Sequence, residues 1–274
     1  DVSQGTALAQ AMAFAMAIFA LGPISAPLVG YGLVALGGWR GIFVGMALFA
    51  ATMLGLALLF KETHANPDRH ALERGSLQSA LVRIVRHPQS RHFLLLAALA
   101  QYSIVSFVAN APRFFKSAFG IEGLAFALLF AATGLGIIVG QVANNRLIGR
   151  LGVLATTKGA AGVLLGVSAA VTAFSLADAL TGAVFVVLMF AFNTSFLVVM
   201  ANSASLVIDP HREIAGFASS AFGFFTQMVS SLLVILTMPM FQGRLLPWAL
   251  VMLFTMGTLT AGLALYRPRS ATMA

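Results

Sequence analysis

The sequence contains no cysteine, and only 9% of its 274 residues are charged. The absence of thiols excludes disulfide bonds, thiolate nucleophiles and zinc–thiolate sites. The scarcity of charge is equally informative, because a soluble domain needs roughly 25% charged residues to cover its surface. Since 59% of the residues are hydrophobic, we expect lipid to be the solvent for most of this chain.

Eight apolar segments follow one another along the chain. Each is close to the roughly 20 residues that a helix needs to cross the hydrocarbon core of a bilayer. The pattern predicts an all-α membrane protein with eight transmembrane helices. The predicted spans cover about residues 7–36, 41–60, 93–112, 123–144, 153–176, 180–205, 214–238 and 246–266.

The cations are distributed unevenly among the predicted loops. An even number of spans puts both termini on one side, and that side holds twelve of the sixteen lysines and arginines. Cytoplasmic loops are enriched in these residues, so we expect both termini of this segment in the cytoplasm. The asymmetry explains the net charge of +8 without a nucleic-acid partner.

One long polar stretch, residues 61–92, separates two spans from six. Its later part has apolar residues on one helical face, which favours a short helix at the inner membrane surface; a solvated linker with chance periodicity is an equal alternative. Many transporters are built from six-helix bundles, which two helices cannot match. We therefore expect residues 1–60 to end an N-terminal bundle, residues 93–274 to form a C-terminal six-helix bundle, and about four helices to precede this chain, making twelve.

The stretch ALGPISAPLVG places helix breakers inside an apolar span. Gly22, Ala26 and Gly30 are spaced by four and form a ridge of small residues, which permits close helix packing in lipid. Pro23 and Pro27 repeat that spacing and bend the helix. The pattern predicts a bent helix that packs closely; a generic structural kink is the alternative.

This stretch continues as YGLVALGGWRGIF, then an apolar span and KETH, and it resembles the Bcr/CflA drug-resistance branch of the major facilitator superfamily. Gly22, Pro23 and Gly30 match the antiporter signature of the family's fifth helix. The segment GLGIIVGQVANNRLIGRLG resembles the eighth helix and its basic turn, and AGFASSAFGFFTQMVSSL resembles the eleventh. Asparagines stand in that turn where related loops carry an aspartate. The resemblance implies the major facilitator fold, with eight of twelve helices present.

The resemblance also implies roles for polar and aromatic residues within the spans. Tyr102, Asn193 and Gln227 are expected at similar depth beside a central substrate cavity, with Phe107 as an apolar wall; helix–helix packing is the alternative for each. Two further groups are expected at the gate and at an inner loop. The gating motif comprises Gly22, Pro23, Pro27 and Gly30, and the inner-loop basic turn comprises Arg146 and Arg150, placed to meet carbonyls at a helix end.

All eight acidic residues are predicted in loops or at span ends, and all five histidines in inner loops. Proton-coupled transporters normally carry a carboxylate or histidine within the membrane. The predicted spans therefore do not hold the coupling group, and the resemblance implies that its carboxylate lies in the helices that precede this chain. We expect no catalytic residues, metal or cofactor.

The combined expectation is a monomeric exporter of drug-like molecules in a bacterial inner membrane, exchanging its substrate for protons by alternating access. Its partners are the lipid bilayer, the small-molecule substrate and protons. An exporter of a metabolite such as a sugar or an amino acid is the alternative. A membrane-embedded enzyme is disfavoured because only the turn DPHRE clusters reactive groups, and a channel because no span supplies rings of charge.

Overall fold

In a computed structural model, the described part of the chain comprises residues 5–59 and 74–266, and all its regular structure is helical. From α2 onward the helices follow one another with short connections. They are α1 (Gly5–Leu59), α2 (Arg74–Arg86), α3 (Pro88–Phe119), α4 (Gly123–Leu151), α5 (Val153–Leu176), α6 (Gly182–Ile208), α7 (Ala215–Phe241) and α8 (Leu245–Leu265), with a 3-10 turn, Asp209–Ile214, between α6 and α7.

Six helical segments of the described chain are long and apolar enough to cross a membrane. Two of these contain a break: α1 has non-helical backbone at Gly37 and Gly38, and the 3-10 turn separates α6 from α7. The predicted count of eight spans stays a prediction. The six segments are Ser25–Leu59, Pro88–Phe119, Gly123–Leu151, Val153–Leu176, Gly182–Phe241 and Leu245–Leu265.

The break in α1 depends on glycine. Gly38 has φ 59° and ψ −157°, a region that residues with a Cβ rarely occupy. The chain reverses there, so that a Cβ on Gly41 would stand 2.3 Å from the carbonyl oxygen of Leu33. Because no side chain separates them, the two arms of α1 pack as a close hairpin.

Helix α3 lies at the centre of the described bundle and packs against α6, α7 and α8. It is longer than the predicted 93–112 span at both ends. Pro88 begins it because proline lacks the N–H that the first helical turn leaves unpaired, and His87 caps it by accepting from the Ser90 N–H at 3.4 Å. The prediction that all five histidines lie in loops is therefore wrong for His92, which belongs to α3 and stacks on Tyr266.

Helices α4 and α6 approach each other through glycines. A Cβ on Gly136 would stand 2.3 Å from the Phe190 carbonyl oxygen, and one on Gly140 would stand 2.4 Å from that of Thr194. The two glycines are four residues apart and so occupy one face of α4. Small residues at this spacing let helix backbones approach closely in lipid.

Helix α2 is held against the end of the bundle at which α6 meets α7. Ile84 is fully buried, and Arg83 forms an ion pair with Glu213 in the 3-10 turn. Immediately after α2, the Ser90 hydroxyl lies 2.9 Å from Nε2 of His211. The ion pair joins the C-terminal half of α2, and the Ser90 contact joins the first turn of α3, to the 3-10 turn between α6 and α7; together we call these contacts the α2 clasp.

Candidate functional site

Two glutamine side chains form the most prominent polar group on the open face of the bundle. Nε2 of Gln101 on α3 donates to Oε1 of Gln227 on α7 at 3.0 Å, and Nε2 of Gln227 lies 3.3 Å from the Ser231 hydroxyl. Gln227 is exposed and Gln101 is half-buried. The pair therefore presents uncharged donors and acceptors on a helix surface that is otherwise largely apolar.

The polar residues of α7 divide into two lines. Thr226 and Ser230 are buried and donate to carbonyl oxygens of their own helix. The second line faces outward and carries Gln227. Its other members are Gly216, Ser220 and Gly223, which are exposed, and Ser231, which is half-buried. Since buried hydroxyls need a hydrogen-bond partner, the first line serves packing. In the second line the Ser220 hydroxyl donates to the Gly216 carbonyl oxygen, and the exposed amide of Gln227 is the group best placed to meet a solute.

Tyr102 follows Gln101 directly but lies on the packed side of α3. Its side chain is buried, and its hydroxyl donates to the Thr237 hydroxyl of α7 at 2.8 Å. The structure therefore places this expected cavity residue in the contact between α3 and α7.

Asn193 joins α6 to α4. Its side chain is buried, and its Nδ2 donates to the Thr133 carbonyl oxygen at 2.8 Å. No described group pairs with its Oδ1. Asn193 is therefore held close to the glycine contact between these helices and away from the glutamine pair.

Phe107 belongs to an aromatic cluster between α3, α4, α6 and α8. Its ring centroid lies 5.6 Å from that of Phe130 and 6.1 Å from those of Phe185 and Trp248. The Trp248 indole N–H donates to the Ser106 hydroxyl at 3.1 Å. Of the four expected cavity residues, the structure leaves only Gln227 exposed. Sequence reasoning missed Gln101, although a glutamine within an apolar span is itself a signal.

The gating motif lies in the first arm of α1. The helix runs through Gly22, Pro27 and Gly30, and among the described residues of α1 only Gly37 and Gly38 have non-helical backbone. The side chain of Pro23 lies outside the described part. No described atom lies within 4 Å of a Cβ placed on Gly22 or Gly30, so the expected close packing of this ridge is not made with the described helices.

The basic turn lies at the C-terminal end of α4. Arg146 and Arg150 are exposed and, with Ala143 and Leu147, line an open pocket of about 490 Å³. Gly152, with φ 79°, ends the helix and donates its N–H to the Ile148 carbonyl. We expected both guanidinium groups to meet carbonyls here, but neither hydrogen-bonds to a described residue, because the backbone itself closes the helix end.

A comparison with known proteins decides the family. Residues 1–235 match the profile of the Major Facilitator Superfamily. The chain belongs to the major facilitator superfamily. This is a family of membrane transporters, and the apolar helices of the chain are those of a multi-pass membrane protein.

This major facilitator chain is 24% identical over 238 residues to the uncharacterized MFS-type transporter YdgK of Bacillus subtilis (strain 168). The match covers 85% of the chain and 58% of YdgK. The chain therefore spans less than two thirds of that relative's length.

The described carboxylates of this family member lie outside its long helices. Glu122 pairs with Lys116 at 3.2 Å, Asp209 pairs with Arg212, and Glu213 pairs with Arg83. Asp178 lies in the turn between α5 and α6. Within the described residues, no group of three or more histidine or acidic side chains could hold a metal ion.

Proposed function

We propose that this chain is part of a proton-coupled exporter of drug-like small molecules. The observation that carries the proposal is the hydrogen-bonded amide pair of Gln101 and Gln227, in which Gln101 is half-buried on α3 and Gln227 is exposed on α7. Two neutral amides can orient a ligand through a few hydrogen bonds, while Phe224, exposed on the adjacent face of α7, offers apolar surface. Such a combination suits apolar ligands that carry few polar groups.

The other expected residues form contacts between the helices that carry or adjoin the glutamine pair. Tyr102 holds α7 against α3, and Asn193 holds α6 against α4. Phe107 fills the space between them with its aromatic cluster. We propose that these three residues fix the position of the helices that carry the site, and that Gln227 contacts the solute.

We propose that α1 completes a six-helix N-terminal bundle together with helices preceding this chain, for twelve in all. Among the described helices, α1 packs chiefly against α4, and it leaves large apolar side chains exposed, such as Leu36 at 90% and Leu59 at 81%. The 58% coverage of YdgK agrees with a missing portion of that size. In this arrangement Gly22, Pro23, Pro27 and Gly30 line the contact between the bundles and gate it.

The proton carrier is proposed in the same upstream helices, because every described carboxylate lies in a turn between helices and none lies within α1 or α3 to α8. The twelve cations on one side support an inner-membrane protein with both termini of this segment in the cytoplasm. We propose that the transporter acts as a monomer.

Drug accumulation in an efflux-deficient bacterium tests the site. In the intact protein, we expect Gln227→Leu and Gln101→Leu to weaken export about 2- to 12-fold, the effect of losing one neutral hydrogen bond. Gln78→Leu, on an exposed position of α2, is the matched control and keeps full export.

Three outcomes would count against the proposal. Normal export by both cavity variants, at equal protein levels, would remove the glutamine pair from the substrate path. Loss of sugar or amino-acid efflux with unchanged drug accumulation would replace drugs by a metabolite as the substrate. Export by residues 1–274 expressed alone would refute the upstream placement of the proton carrier.

A further inference from the structure

The pocket at the inner end of α4 is lined by two arginines that are one helical turn apart. Arg146 and Arg150 are separated by four residues, which places their side chains on one helix face about 6 Å apart along the axis. Ala143 and Leu147 supply the rest of the lining. A pocket with two guanidinium groups above an apolar floor suits a ligand that is both anionic and apolar.

The charge of these arginines is not neutralised within the described part of the chain. Neither one forms an ion pair or a hydrogen bond there, and the two described carboxylates on the same predicted side are engaged elsewhere, Glu213 by Arg83 and Asp209 by Arg212. An arginine fork binds phosphate oxygens in bidentate geometry. The pocket therefore has the electrostatic complement of a phosphate group, and no carboxylate of the described residues competes for it.

An exposed apolar strip continues from the arginines along the same face of α4. Leu135, Val139 and Val142 are exposed and recur with Arg146 and Arg150 at spacings of four and three, which keeps all five on one side of the helix. From Leu135 to Arg146 the helix rises about 16 Å. This is about the thickness of one leaflet of the hydrocarbon core, half of roughly 30 Å.

We propose that this face of α4 binds one anionic phospholipid of the inner leaflet. The phosphodiester lies between the guanidinium groups of Arg146 and Arg150, and an acyl chain runs along Val142, Val139 and Leu135. The proposal rests on the orientation proposed above, with the inner end of α4 in the cytoplasm, and is independent of the transported substrate.

Native mass spectrometry of the intact protein, released from nanodiscs that contain phosphatidylglycerol and phosphatidylcholine, tests the site. We expect the wild type to retain one phosphatidylglycerol in preference to phosphatidylcholine. Arg146→Gln combined with Arg150→Gln should lower the apparent affinity about 25-fold, since a cation at an anionic membrane surface contributes about fivefold. Neither side chain holds the fold together, so the variant should elute from a sizing column like the wild type.

The matched control is Arg86→Gln combined with Arg91→Gln, which removes two exposed cations on the same predicted side and should leave lipid retention unchanged. Equal retention by wild type and the Arg146/Arg150 variant overturns the proposal, as does an equal loss in the control. Displacement of the lipid by excess inorganic phosphate also overturns it, because the apolar strip would then contribute nothing. Export measured on the same variants separates this proposal from the transport proposal, which fails or holds independently.

Discussion

The contact between α4 and α6 yields the sharpest test of the fold. An alanine at position 140 would put its Cβ 2.4 Å from the Thr194 carbonyl oxygen, whereas ordinary contacts begin at 3.4 Å. The obstacle is backbone and cannot rotate away, so the helices must separate locally by about 1 Å. A gap of that size forfeits a quarter to a half of each dispersion contact it opens, and overpacking of this kind costs about 1–3 kcal/mol.

The matched control lies in the same helix. No described atom is within 4 Å of a Cβ placed on Gly149, so Gly149→Ala brings only the helix-propensity gain of about 0.5–1 kcal/mol. That gain is common to both substitutions and cancels in the comparison. Gly140→Ala should therefore be less stable than Gly149→Ala by about 1–3 kcal/mol.

The assay is reversible unfolding of the purified intact protein in mixed micelles of increasing sodium dodecyl sulfate content, followed by tryptophan fluorescence. Gly136→Ala should behave like Gly140→Ala, since its Cβ would stand 2.3 Å from the Phe190 oxygen. If Gly140→Ala proved as stable as Gly149→Ala, the helices would not approach as closely as described, and the argument for their packing would fail.

Two further predictions concern the turns. Burial, and then the positive charges of His87 and Arg83, lower the pKa of His211, which lies in the 3-10 turn outside α6 and α7. The docked state therefore favours the neutral ring, and the α2 clasp should weaken as the pH drops below about 6.5. Hydrogen exchange of residues 209–214, corrected for intrinsic rates, should accelerate in acid, and His211→Gln should abolish that acceleration. If the variant showed the same acceleration as the wild type, His211 would not be the group that weakens the clasp. Gly38→Ala should destabilise the protein by about 1–3 kcal/mol in thermal unfolding, because alanine rarely adopts that backbone conformation. Gly37→Ala is the control and should have no such effect, since φ at that position is −140°. Equal destabilisation by the two substitutions would mean that the break in α1 does not depend on Gly38.

Hydropathy was sufficient to predict an all-helical chain with long apolar segments, because a chain with so little charge has few ways to satisfy its backbone in lipid. The ends of α3 were not predictable from hydropathy. Polar residues such as Gln89 extend the helix on the N-terminal side of the apolar stretch because tertiary contacts hold them. The Nε2 of Gln89 donates to the Leu206 carbonyl oxygen at 2.8 Å. The four-residue spacing of Gly136 and Gly140 is a signal of close helix packing in lipid, and our sequence analysis did not use it to predict the contact between α4 and α6.

The site residues were harder to predict, because depth in the membrane does not determine which way a side chain faces. Tyr102 and Gln101 are neighbours at almost the same depth, yet one contacts α7 inside the bundle and the other borders its open face. A helix turns by 100° per residue, so small errors in the assumed helix face exchange a cavity residue for a packing residue. Only Gln227 was both expected in the cavity and found exposed.

The α2 clasp sets the point at which the chain that follows α1 rejoins the bundle. With α2 docked, the covalent path from Leu59 to Arg74 contains 14 intervening residues, whose fully extended length is about 50 Å. Any relative displacement of α1 and the bundle must be taken up within that length, and α2 travels with the bundle. Deleting residues from the segment 60–73 should therefore reduce the largest displacement that α1 and the bundle can undergo. Opening the clasp should increase that displacement by the length of α2.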